Sequence, residues 1–186
     1  MTRTVFAFVF LFAAATGQAL AQERDAKPRL TPEMLEMWER IEKMVVDIAE
    51  QFPAEKYEYK PTPEVRSFKE QLLHVASSNY FFIRLSGGRK TKATHTGRET
   101  KADVVAVLKE SFRDAAAVIN ELGDAGLARM VKHPFEDHSV SLHRIWTMAA
   151  AHNGEHYGQL VIYYRLNGLV PPTTVQEQAA RPGQDD

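Results

Sequence analysis

Three histidines carry the chemistry this chain could do. His152 and His156 close the run His152-Asn153-Gly154-Glu155-His156, four residues apart, and His74 stands in a separate segment. On a helix, a spacing of four puts two imidazoles on one face, one turn apart. A third imidazole from a neighbouring helix would complete a three-nitrogen site for a divalent metal. Such a site leaves coordination positions open for water or substrate.

A single histidine on a helix face is more often a hydrogen-bonded core or boundary residue than a ligand, so position has to decide. Leu142, Ile145, Ala149, His152, His156, Gln159, Tyr163 and Leu166 are spaced 3-4-3-4-3-4-3, the inward seam of a bundle helix. An uncompensated buried polar group costs about 1–3 kcal/mol. Two consecutive histidines followed by Gln159 are a poor choice for packing alone, and a metal would remove the difficulty; a hydrogen-bonded core pair is the alternative. His74 lies mid-helix with Gln71, Ser78 and Phe81 on its side, and spacing alone does not aim it at the pair; it also reads as a boundary histidine.

The other histidines fall outside this set. His95 belongs to a basic loop, His133 and His138 flank Pro134, and His143 is off the seam. A zinc-peptidase motif needs glutamate directly after the first histidine. Here Asn153 stands there, and Glu155 reads as a solvated group. With no cysteine in the chain, metal ligands must be nitrogen or oxygen, and disulfides and thiolate nucleophiles are excluded.

The start of the chain reads as a secretory signal. Arg3 precedes an apolar run from Val5 to Ala15, and Ala19-Leu20-Ala21 is an A-x-A cleavage site. The run is shorter than the roughly 20 residues a membrane-spanning helix needs. The expected mature protein starts after Ala21, is secreted or periplasmic, and has no membrane span. Of 23 Lys+Arg only Arg3 lies in the signal, leaving 22 against 24 Asp+Glu, a net charge of −2. That balance gives no nucleic-acid surface.

The histidines need helices to position them. Residues 22–31 read as a polar tether. Thr31-Pro32 reads as an N-cap followed by proline at the first helical position, opening a helix that Pro53 ends. Residues 53–65 form a connection. The second helix is expected over about Ser67–Leu85, with Phe68, Leu72, Val75, Asn79 and Phe82 inward and Gly87-Gly88 closing it. Residues 89–99 read as a surface loop. The third helix is expected over about Thr100–Leu122, with Gly123 as its stop. Residues 124–140 read as either a long loop or a short β-ribbon. The fourth helix is expected over Ser141–Asn167, capped by Gly168 and stopped by Pro171-Pro172. Residues 173–186 read as a loosely held tail. Four amphipathic helices without a strand core predict an all-α four-helix bundle over residues 32–172, either a meander or an up-down-down-up path.

Three stretches resemble the DinB-like superfamily of bacterial four-helix metalloproteins. They are Tyr59-Lys60-Pro61-Thr62-Pro63-Glu64-Val65-Arg66-Ser67 leading into Leu72-Leu73-His74-Val75, the run His152–Leu160, and Tyr164–Pro172. The resemblance spans residues 34–172. It implies an antiparallel up-down-down-up bundle in which His74, His152 and His156 bind a divalent metal, zinc or nickel. It also implies a homodimer and a metal-dependent activity on a small molecule, a thiol-dependent transferase or isomerase; a hydrolase is the other enzymatic expectation. Gln159, Tyr163 and Tyr157 are the expected pocket residues. The rival expectation is a non-catalytic metal-binding or oligomeric bundle.

Overall fold

The computed structural model describes residues 29–87 and 97–181. The expected signal, most of the expected tether, His95 and the end of the expected tail lie outside the described residues.

Helix α1 (Leu30–Gln51) buries Met34, Trp38, Ile41, Val45 and Ile48, a 4-3-4-3 stripe. Its start corrects one expectation. The N-cap position is Arg29, without a side-chain cap. Thr31 instead turns its backbone N–H (2.9 Å) and hydroxyl (2.6 Å) to the Asp124 carboxylate. Thr31 lies inside the first turn, and its two bonds to Asp124 tie α1 to the far end of the third helix.

Helix α2 (Phe68–Gly87) follows a short 3-10 turn at Ala54–Lys56. Ser67 and Glu70 cap it reciprocally: the Glu70 carboxylate accepts from Ser67 N–H (2.6 Å), and Ser67 Oγ accepts from Glu70 N–H (3.2 Å). Helix α3 (Lys101–Leu127) has the same device in Thr100 and Asp103. Gly123, at φ 58, breaks its path, but one more turn follows because Leu127 is fully buried. The next segment is a ribbon rather than an open loop. Strand β1 (Met130–Lys132) pairs antiparallel with β2 (Ser139–Ser141), Val131 opposite Val140. Helix α4 (Leu142–Leu166) is capped by Ser141 Oγ, which accepts from Arg144 N–H, and its end turns at Gly168, φ 70.

The tail expectation also changes. Helix α5 (Pro172–Ala180) lies against α1, where Gln176 donates to Asp47 (3.2 Å). Pro172 occupies the first turn of α5, where a missing N–H costs nothing.

In the bundle α1 and α2 each pack against both α3 and α4. Residue pairings give the directions. Trp38 donates to the Phe112 carbonyl (3.0 Å) while Thr31 meets Asp124, so α1 and α3 run antiparallel. Trp38 packs on Trp146 and Tyr164 donates to the Ile48 carbonyl, so α1 and α4 run parallel. Between α2 and α4 the pairs are Phe82 with His152, Asn79 with Asn153, Gln71 with Gln159 and Arg66 with Tyr163, an antiparallel pair. Among the described residues no helix is long and apolar enough to cross a membrane.

Candidate metal centre

The α2/α4 seam builds the site. His74 on α2 meets His152 and His156 on α4, with ring centroids 5.3 Å and 4.7 Å away; the two α4 rings are 4.3 Å apart. One nitrogen from each ring lies within 4.8 Å of the other two. Among the described residues this is the one group of metal-ligating side chains so placed. His152 Nε2 and His156 Nε2 face each other at 3.0 Å. Two nitrogens that close must share either a proton or a cation, since neutral lone pairs repel.

The surroundings suit a neutral ligand set. Burial pushes the His156 imidazole below its ordinary value, and the neighbouring His152 adds to the shift. Burial does the same to His152, opposed in part by the neighbouring Asn153 side chain. A depressed imidazole pKa keeps the ring in the form that offers a lone pair.

The far ring atoms decide which nitrogen is free. His156 Nδ1 lies 2.7 Å from the Gln71 amide nitrogen and 3.1 Å from Gln159 Oε1, and Gln71 also donates to Gln159. Gln71 is buried. This pair of amides supplies both a donor and an acceptor. With Nε2 protonated, Nδ1 accepts from Gln71; with Nε2 committed to a metal, Nδ1–H donates to Gln159. At His152 the buried Nδ1 makes no hydrogen bond, and neither does the buried Oδ1 of the adjacent Asn153. Asn153 is fixed in turn: its amide donates to Asn79 Oδ1 (2.9 Å), and Asn79 donates to Ser111 Oγ (3.1 Å), a fully buried chain across α4, α2 and α3.

The site has two different ends. Phe82 sets its edge against His152 at 6.2 Å, next to Phe81, which stacks on Phe135 from the ribbon loop. Toward the start of α2 the seam opens into a cleft of about 460 Å³ lined by Arg66, Gln71, Gln159, Ile162 and Tyr163.

The expected pocket residues divide. Gln159 touches His156, and Tyr163 lines the adjoining cleft with its hydroxyl donating to the Arg66 carbonyl (2.6 Å). Tyr157 does not join them. It is buried on the opposite side of α4, hydrogen-bonded to Thr173 and lining a groove against α1 and α5. His133 and His138 stack on each other in the ribbon loop, outside the cluster. Two contributors, Gln71 and Asn153, were not among the candidates. Their signal was present: an amide three residues before His74, and one directly after His152.

The sequence profile of the DinB superfamily matches residues 37–160. This chain belongs to that superfamily. Among solved structures it resembles the DinB-like protein YjoA from Bacillus subtilis, at 21% identity and a TM-score of 0.60, over 73% of this chain and 92% of that one. It also resembles Bacillus subtilis YfiT, described as having an unusual four-helix bundle topology, at 16% identity and a TM-score of 0.56, over 77% of this chain and 94% of that one. No curated protein matches this DinB chain in sequence.

Proposed function

We propose that this DinB protein is an exported metal-dependent enzyme that activates a small nucleophile, water or a thiol, for attack on a small-molecule substrate. The observation that carries the reading is the convergence of His74, His152 and His156, with two Nε2 atoms 3.0 Å apart. The relative YfiT is described as a probable metal-dependent hydrolase. Three imidazoles suit zinc or nickel. When bound, such an ion acts as a Lewis acid and brings the pKa of water or a thiol toward neutrality.

The chain's own residues would do the rest. His74, His152 and His156 supply neutral nitrogens. Gln159 accepts the His156 proton at Nδ1, which leaves that ring's Nε2 free. Phe81 and Phe82 exclude water at one end of the seam, and the cleft past Gln71 admits substrate at the other. Arg3, the Val5–Ala15 run and Ala19-Leu20-Ala21 support export. A homodimer is part of the same reading, and sedimentation of the mature protein tests it.

The functional test has two arms. Zinc- and nickel-loaded mature protein is assayed for hydrolysis of activated esters and for conjugation of small thiols to electrophilic acceptors. Metal-dependent turnover in either arm, lost in His156→Ala, is the expected outcome. A protein that holds its metal, turns over nothing and unfolds on chelation is a structural metal module instead.

A further inference from the structure

The cleft beside the histidines has a chemical character of its own. It is lined by Pro61, Val65 and Ile162 on its apolar side and by Gln71, Gln159 and Tyr163 on the side toward His156. Val65 and Ile162 are exposed there, 40% and 54%. Two charges border it, Arg66 and Glu64. They are not equivalent. Glu64 is exposed to solvent, and a hydrogen bond from Thr62 keeps its carboxylate ionised. Arg66 is the cation of the lining, in the same cleft wall as Gln71, Gln159 and Tyr163. Its position is fixed through its backbone, because its carbonyl accepts from the Tyr163 hydroxyl at 2.6 Å.

A guanidinium presents two parallel donors that match a carboxylate. A planar anion held there would point its attached chain along Val65 and Ile162 or toward the histidines.

From this juxtaposition we propose that the cleft is the substrate subsite, that Arg66 binds a carboxylate there, and that the substrate is a small carboxylic acid with an apolar body. The proposal rests on the metal-enzyme reading for the word substrate, while the binding itself does not need the metal.

Hexanoate and hexanol are the probes, with zinc-loaded and chelator-stripped mature protein, read by calorimetry and by the side-chain amide resonances of Gln71 and Gln159. Hexanoate should bind about tenfold or more tightly than hexanol, as expected for a charge-assisted pair, and should move both amide resonances. Arg66→Ala should erase that preference and Arg66→Lys should keep part of it. Both variants retain the backbone carbonyl that Tyr163 uses, and their zinc content should equal that of the unaltered protein. Equal binding of the two probes, no binding, or a hexanoate preference unmoved by Arg66→Ala overturns the proposal. Absence of zinc from the unaltered protein alongside an intact Arg66-dependent preference overturns the metal reading and leaves the subsite standing.

Discussion

Helix α4 packs two seams that do different work. Toward α1 it presents Trp146, Ala150, Tyr157, Leu160 and Tyr164, and the partners are Trp38 and Ile48. Toward α2 it presents His152, His156 and Gln159, and the partners are Gln71 and His74. The first seam closes on itself, with ring packing and single hydrogen bonds to backbone carbonyls. The second leaves imidazole and amide groups facing one another, which is poor packing and useful chemistry. Fold stability and function are therefore separable on one helix, and substitutions should sort by seam.

The largest stability effect belongs to the apolar seam. Trp38 is fully buried and hydrogen-bonded to Phe112. Trp38→Ala should lower unfolding free energy by about 3–5 kcal/mol, measured by urea denaturation, while molecules that remain folded still bind metal. His156→Ala should do the reverse, with bound metal lost in elemental analysis and the metal-free stability nearly unchanged. A large stability loss in metal-free His156→Ala would merge the two seams and break the comparison.

Smaller effects sharpen it. Gln159 is exposed and touches His156 Nδ1. Gln159→Leu should weaken metal affinity about 10–100-fold, as expected for loss of an outer partner of a ligand, with no change in urea midpoint. Asn153 belongs to both accounts. Its replacement by alanine strands the buried Asn79 amide and should cost about 1–3 kcal/mol as well as weakening the metal. The smallest effect is a pH slope in metal-free protein. The folded pKa values of His152 and His156 lie below their ordinary 6.5. The unfolded chain therefore binds protons first, and stability should fall as pH drops below about 6.5. Denaturation at stepped pH checks this, and the slope should shrink in a variant with both histidines replaced by alanine.

Much of this was legible in the chain. The stripe Phe68, Leu72, Val75, Asn79 and Phe82 is buried as its spacing predicts. The α4 seam was read with a strict seven-residue repeat, and it fails at its end: Leu166 is 57% exposed. A real helix drifts about 20° per heptad from that repeat, so the stripe has rotated out by Leu166, one turn past the buried Tyr163. The second seam, with Tyr157 on it, was hidden because α4 touches two helices and buries a face wider than one stripe. Helix α5 was hidden by polarity, since only Pro172 marks its start. The amide partners were missed because spacing shows which residues share a face and not which atoms meet across helices.

The central claim is that the polar seam exists to hold a metal. Its most direct test is elemental analysis of the untagged protein after zinc or nickel loading, beside His156→Ala. Stoichiometric metal in the first and none in the second is the predicted result. Sub-stoichiometric metal in the unaltered protein after reloading, or equal metal in both, would contradict it.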